Sequence, residues 1–192
     1  MARISVLYHS GTGHNRAMAE AVRHGAASVD GAEVHLLSIE GGDIVEGRWR
    51  NDDIMETLDG SDAIIFGCPT YMGCVSAQMK AFMDATSERY FTRAWTDKLA
   101  SAFSVSGGPS GDKLNTMQTL ATFAMQHGMI WVGMNQTPFN EEGINRLSFY
   151  FGAAGQALQE PPEEKPDELD KKTGWHLGVR VATLAMRDGT RA

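Results

Sequence analysis

Three short loops contain most of the residues that could bind a ligand, and the first is SGTGHN at residues 10–15. It lies between an apolar run and a stretch with helical periodicity. Free backbone N–H groups and the positive end of the helix dipole favour an anion at such a position. Glycines let the backbone approach a ligand closely, and Ser10, Thr12 and Asn15 offer neutral hydrogen-bond donors. The loop therefore predicts a phosphate site.

Two common nucleotide-binding motifs are absent from this loop. No Gly-Lys-Ser/Thr follows it, so it is not a Walker A loop, and Arg16 stands where the GxGxxG motif needs its third glycine. A monophosphate therefore fits better than a pyrophosphate. On this loop alone, the alternative stays open that Ser10 or Thr12 caps a helix and that the glycines only ease a turn.

The second and third loops point to a flat ligand. PTYMGC at residues 69–74 brings an X-Pro dipeptide, an aromatic ring and a glycine to a strand end, where they would present backbone amides and a ring face. GGPSGD at residues 107–112 follows the next strand. Each could also be an ordinary connection between a strand and a helix. The prediction of one shared site therefore depends on where the strands place the loops.

The order of strand-like and helix-like segments predicts those positions. Five strands are expected, at residues 4–9, 32–39, 61–67, 99–106 and 129–133, with helical periodicity between them. Parallel strands need such crossovers, so the fold class is α/β, a doubly wound five-stranded parallel sheet with helices on both faces. Ligands bind beyond the carboxyl ends of such strands, which is where the three loops would lie.

Length and composition suggest one domain. The chain has 192 residues, of which 42% are hydrophobic, enough to bury a core as a single domain over residues 1–192. An elaborated connection is expected at about residues 134–170. Its part at residues 159–170 is rich in Pro, Glu and Lys and predicts an exposed linker.

Several classes of partner are disfavoured by charge and cysteine usage. The net charge is −7, with no basic block, which argues against nucleic acid and against an anionic membrane surface. Cys68 and Cys74 form no zinc or redox motif, so no metal site is predicted and a reducing compartment is favoured. No apolar run approaches the roughly 20 residues that span a bilayer, and no signal peptide is evident, so we expect a cytoplasmic protein without membrane insertion.

The segments that carry the three loops resemble the flavodoxin-like NAD(P)H:quinone oxidoreductases of the WrbA type. The matching segments are LYHSGTGHNRAMAEAV, DAIIFGCPTYMGCVSAQMKAFMDAT, KLASAFSVSGGPSG and FAMQHGMIWVG, in the family's order and spacing. The resemblance implies FMN, with its phosphate on the first loop and its isoalloxazine ring between the other two. The cofactor-binding residues that it implies are Ser10, Gly11, Thr12, Gly13, His14, Asn15, Pro69, Thr70, Tyr71, Met72, Gly73, Ser106, Gly107, Gly108 and Gly111.

The resemblance also implies a reaction and an assembly. NADH or NADPH would give hydride to the flavin, which would reduce a quinone or a similar acceptor. Members of the family form dimers and tetramers whose flavin sites are walled partly by a neighbouring subunit, which would account for the long segment at residues 135–155. A flavodoxin-type electron carrier, which passes electrons to a partner protein without oxidising nicotinamide directly, is the alternative.

His127 is the one catalytic residue that we expect. It matches a family histidine that borders the substrate pocket, where it could give a proton to the reduced quinone. Its alternative role is structural, because His127 and Gly128 suit the end of a helix. Tyr71, Met72 and Cys74 depart from the family, which commonly has Arg, Phe and Asn there.

Overall fold

A parallel β-sheet with helices on both faces forms the computed structural model, which describes residues 1–188. The strands are β1 (Ala2–Tyr8), β2 (Ala32–Ser38), β3 (Ile44–Val45), β4 (Arg48–Trp49), β5 (Ala63–Gly67), β6 (Thr70–Tyr71), β7 (Cys74–Val75), β8 (Leu99–Ser106), β9 (Ile130–Trp131) and β10 (Ala153–Gln156). The helices are α1 (His14–Ala27), α2 (Asp52–Asp59), α3 (Ala77–Ala85), α4 (Ser87–Thr92), α5 (Lys113–Gln126) and α6 (Glu168–Asp188).

The sheet has the order β2-β1-β5-β8-β10, and every pairing in it is parallel. The chain passes from β1 to β2 on one side and then crosses to β5 on the other side. This change of direction creates a crevice at the carboxyl ends of β1 and β5, the preferred ligand position in open parallel sheets. The predicted flavodoxin-like fold is confirmed.

Two apolar clusters lie on opposite faces of the sheet, because side chains along a strand alternate in direction. On β5, Ile65 belongs to a cluster with residues of α1 and α6, whereas Ile64 and Phe66 belong to one with residues of α2, α3 and α5. All residues of β5 and β8 are buried, as expected for central strands covered on both faces. Helices α1 and α6 approach so closely that a Cβ at Gly178 would lie 2.0 Å from the Val22 carbonyl oxygen.

The fifth strand position is built from two pieces of chain. The sequence predicts one strand at residues 129–133, but β9 pairs only with Leu99 and Ala100 at the start of β8. The chain then leaves the sheet for residues 132–152, the edge insertion, and returns as β10 to pair with residues 103–106. Sequence AAGQ of β10 has no β-branched or aromatic residue, so it gave no strand signal.

The segment expected to be an exposed linker is partly structural. Residues 168–170 already belong to α6, and Pro166 and Asp170 are buried. The prediction of a solvated linker at residues 159–170 was therefore wrong for this part. Within residues 1–188, no helix is long and apolar enough to cross a membrane.

Candidate functional site

The three predicted ligand loops meet at one edge of the sheet, because β1, β5 and β8 are neighbours in it. A Cβ at Gly11 would lie 2.4 Å from the Tyr71 hydroxyl oxygen, so the second loop reaches over the first. Asn115, in the first turn of α5, donates a hydrogen bond of 2.7 Å to the Gly73 carbonyl oxygen. The second loop is thereby joined to the helix that follows the third, and the three loops form one continuous surface.

The first loop leaves the N-terminus of α1 open to an anion. Gly13 precedes the helix with φ of 92°, a left-handed conformation that favours glycine. No side chain caps α1 and its first turn has no acidic residue, so its first amides lack intrahelical partners. Ser10 instead accepts a hydrogen bond of 3.1 Å from the Gly13 N–H. The alternative that Ser10 or Thr12 only caps the helix is therefore not what the structure shows.

Asn15 places a buried polar side chain in the same loop. Its side chain is buried, and its Oδ1 has no hydrogen-bond partner among the described residues. Buried amides are normally paired, and rotation of this amide by 180° would present its NH2 group as a donor instead. An unpaired amide beside the free N–H groups of α1 fits a bound phosphate.

A segment that sequence reasoning treated as linker covers part of this loop. His14 is buried, and its Nε2 donates a hydrogen bond of 2.7 Å to the Glu160 carbonyl oxygen, while its Nδ1 lies 2.9 Å from the Thr12 hydroxyl. A Cβ at Gly13 would lie 2.6 Å from Pro162. His14 thus anchors residues 160–162 over the loop, and its expected proximity to phosphate stays a prediction.

The second loop is a β-hairpin with a firm base and an exposed tip. Met72 and Gly73 form its turn with φ of 48° and 78°, both left-handed, as in the turns that suit two-residue hairpins. At the base, the Thr70 hydroxyl lies 2.8 Å from the hydroxyls of Ser104 and Thr116. Met72 is fully exposed and Tyr71 is 45% exposed. The hairpin therefore holds apolar and aromatic surface at the edge of the site.

The third loop is held from below by a buried lysine. Lys113 is 0% exposed and donates hydrogen bonds of 2.7 Å to the Ser106 hydroxyl and 2.8 Å to the Gly108 carbonyl oxygen. Its ammonium also lies 5.6 Å from the centre of the Phe149 ring. Burial lowers the pKa of Lys113 to about 8, against a weaker effect of Asp170. Sequence reasoning missed Lys113, although it continues the buried face of α5 one turn towards the N-terminus.

An ion pair supports the same region from the edge insertion. Arg146 donates two hydrogen bonds of 2.8 Å to the Asp170 carboxylate, whose side chain is 1% exposed. Asp170 also accepts one of 2.9 Å from the Gln156 N–H, and the Gln156 side chain donates to the Gly107 carbonyl oxygen at 3.2 Å. Burial raises the pKa of Asp170, and the hydrogen bond to Arg146 opposes this. The network fixes α6, β10 and the third loop to one another.

The comparison with protein families decides the class of this site. Residues 3–142 match the family model described as NADPH-dependent FMN reductase. The chain belongs to this family. The family's description names both cofactors expected from the sequence, so FMN and NAD(P)H are confirmed at the level of the family.

Relatives of the chain align over almost its whole length. Flavodoxin FldP of Pseudomonas aeruginosa is 37% identical, covering 97% of this chain and 98% of the relative. An NAD(P)H dehydrogenase (quinone) of Archaeoglobus fulgidus is 34% identical, covering 96% and 98%. The structure of a WrbA-like flavodoxin from Agrobacterium tumefaciens superposes with a TM-score of 0.75 at 36% identity, covering 97% and 99%. The predicted resemblance to the WrbA type is confirmed.

His127 lies far from the three loops. It follows the C-terminus of α5, whose 14 residues span about 20 Å from the third loop. It is buried with its ring centre 4.8 Å from those of Trp95 and Phe123, and its Nε2 lies 2.9 Å from the Thr86 hydroxyl. Within one chain His127 cannot contact an acceptor at the loops. Its catalytic role stays a prediction.

The cysteines and the remaining aromatic residues take structural positions. Cys68 is buried, and burial raises the pKa of its thiol to about 12. Cys74 is half-buried in the second loop. Trp95 lies in the core with 0% exposure, while Trp131 donates a hydrogen bond of 3.0 Å to the Phe151 carbonyl oxygen. Among residues 1–188, no group of three or more His, Cys, Asp or Glu could hold a metal ion.

Proposed function

We propose that the chain is an FMN-dependent oxidoreductase that transfers hydride from NADH or NADPH, through bound flavin, to a quinone or a similar acceptor. The observation that carries the proposal is the uncapped, acid-free N-terminus of α1, which lies at the crevice between β1 and β5. Such a helix end attracts a phosphate, and the hairpin and the third loop extend from it as a surface for a flat ring.

Each loop has a distinct task in this proposal. The amides of residues 11–15, with the hydroxyls of Ser10 and Thr12, hold the phosphate. Residues 69–73 and residues 106–111 would hold the ring of the flavin. The flavin supplies the hydride chemistry when bound, so the protein needs no nucleophile and contributes position and electrostatics. The exposed side chains of Tyr71 and Met72 replace the Arg and Phe common in the family and border the ring.

The acceptor and the assembly are supported by relatives and by the surface. The Archaeoglobus fulgidus relative is named an NAD(P)H dehydrogenase (quinone), and a 30% identical relative from Triphysaria versicolor is named a quinone-oxidoreductase. A homo-oligomer, a dimer or a tetramer, would cover the exposed tip of the hairpin and complete the wall of the flavin site. We place this enzyme in the cytoplasm.

A flavodoxin-type electron carrier is the second candidate. The name of the Pseudomonas aeruginosa relative, flavodoxin FldP, favours it. A carrier would bind FMN in the same loops but would not accept hydride from nicotinamide. The two candidates therefore differ in one property, which is direct reduction of the bound flavin by NADH or NADPH.

The phosphate assignment is tested with Ser10→Asp. A carboxylate about 4 Å from a phosphate charge costs on the order of 4 kcal/mol near a protein surface, so we expect the FMN dissociation constant to rise by nearly a thousand-fold. Ser87→Asp is the matched control, because Ser87 is exposed and begins α4, outside the three loops. Calorimetric titration measures both variants. Unchanged FMN affinity in Ser10→Asp would refute the assignment.

A further inference from the structure

Lys113 occupies a position where a lysine opposes the stability of the fold. Its side chain is fully buried, and both groups that accept its hydrogen bonds, the Ser106 hydroxyl and the Gly108 carbonyl oxygen, are uncharged. It also begins α5, where the helix dipole disfavours a cation. Burying a charge is costly unless an opposite charge pairs with it. A Met at this position would avoid all of these costs.

The charges around the ammonium do not neutralise it. Asp170 from α6 and Arg146 from the edge insertion are the charged groups that act on Lys113, and they have opposite effects on its pKa. Arg146 already holds the Asp170 carboxylate with two hydrogen bonds. The remaining neighbour from the edge insertion is the ring of Phe149, which is uncharged. Among the described residues, no carboxylate is therefore hydrogen-bonded to the Lys113 ammonium beneath the third loop.

Resting on the FMN site proposed above, we propose that Lys113 is a positioning residue for the flavin: it holds residues 106–108 in their binding conformation, and its positive charge favours the addition of electrons to the bound ring. A hydride carries two electrons and one proton, so its transfer from NAD(P)H adds one negative charge to the site. The ammonium offsets that charge without a second proton, and the charge leaves again when the acceptor takes the hydride.

The pKa of Lys113 gives the proposal a pH signature. Burial lowers this pKa to about 8, so above that pH the side chain is neutral while the flavin is oxidised. A negative charge added nearby raises the pKa of an amine. Above about pH 8, reduction would therefore bring one extra proton to Lys113. The midpoint potential should fall more steeply with pH there than below pH 8, by about 30 mV more per pH unit for a two-electron couple.

Two neutral variants separate the charge from the hydrogen bonds. Lys113→Gln removes the charge and keeps a donor for the loop, whereas Lys113→Met removes both. Lys98→Met is the matched control, because Lys98 also donates hydrogen bonds to backbone carbonyls, those of Asp59 and Ser61. Lys98 precedes the amino end of β8, whereas the three loops lie at the carboxyl ends of the strands. FMN affinity is measured by calorimetry, and the midpoint potential of the bound flavin by spectroscopic titration from about pH 6 to pH 10.

Both Lys113 variants should make two-electron reduction about tenfold less favourable at neutral pH, which lowers the midpoint potential by about 30 mV. Both should lose the steeper pH dependence above pH 8, and Lys113→Met should also bind FMN more weakly. Lys98→Met should match the unaltered chain in all three measurements.

The contrary results are equally distinct. An unchanged midpoint potential and pH slope in Lys113→Gln would overturn the role of the charge. Failure of both neutral variants to fold would also overturn it, because Lys113 would then be a residue that folding requires. If Lys113→Met alone fails to fold, Lys113→Gln decides the question. If the unaltered chain does not bind FMN, the proposed function fails first, before any variant is made.

Discussion

Replacing Arg146 by Met should destabilise the protein strongly, because it leaves a buried carboxylate without its cation. Asp170 has only 1% of its side chain exposed and receives two hydrogen bonds from Arg146. Asp167 also lies 3.1 Å from Arg146 but is 35% exposed, so water can replace the lost partner there. The free-energy cost of the substitution therefore comes mainly from Asp170, which keeps one hydrogen bond from the Gln156 N–H.

Breaking one side of a buried ion pair costs about 3–5 kcal/mol. We expect the lower end, about 3 kcal/mol, because the Arg146 side chain is itself 30% exposed. In urea this loss corresponds to a midpoint lower by roughly 1–2 M. Arg50→Met is the control: its pair with Asp52 has side chains 83% and 75% exposed, so its loss should leave the stability nearly unchanged.

The stability of Arg146→Met should also depend on pH and on whether Asp170 is present. Without Arg146, the pKa of Asp170 rises further, so the folded state binds a proton that the unfolded state lacks. Stability of Arg146→Met should therefore fall as the pH rises above about 4, the ordinary pKa of an aspartate. In an Asp170→Asn background, Arg146→Met should cost clearly less. A cost below about 1 kcal/mol, or the same cost in both backgrounds, would refute this account of the ion pair.

Three further predictions concern the core. Gly178→Ala should destabilise the protein by about 3 kcal/mol or more in urea unfolding, because its Cβ would lie 2.0 Å from the Val22 carbonyl oxygen. A Cβ at Gly42 would have nothing within 4 Å, so Gly42→Ala should be nearly neutral. Equal effects of the two changes would contradict the close helix contact. Burial lowers the pKa of His127, so the unfolded state binds more protons and the stability of the protein should fall as the pH drops below about 6.5. His127→Gln should reduce that fall. An unaltered pH profile of stability in this variant would argue against a contribution of His127. Cys68, whose thiol pKa is about 12, should react with a thiol reagent only after unfolding, and reaction in the native protein would show that it is accessible.

The central sheet could be predicted because its strands are buried on both faces. The predicted strand at residues 99–106 agrees with β8, since a run of apolar residues and serines without a charge ends at a turn-rich loop. The edge of the sheet was less accessible to prediction. Four small or polar residues form β10, and its place in the sheet depends on pairing with β8 rather than on any local preference.

The three loops of the site were predicted from local composition, but their supports were not. Lys113 lies on the buried face of α5, which could have drawn attention to it, but a lysine at that place is usually assumed to reach solvent. Arg146 and Asp170 are 24 residues apart and meet only in the folded chain. A catalytic role for His127 stays a prediction, because the residue lies at the C-terminus of α5, about 20 Å from the third loop within one subunit.

The most direct test of the proposed function is anaerobic reduction of the bound flavin. The purified protein is loaded with FMN, NADH or NADPH is added, and the visible absorption band of the flavin is followed. We predict rapid bleaching without any partner protein, as hydride transfer from nicotinamide requires. FMN that stays bound and oxidised would contradict an oxidoreductase and favour the electron carrier.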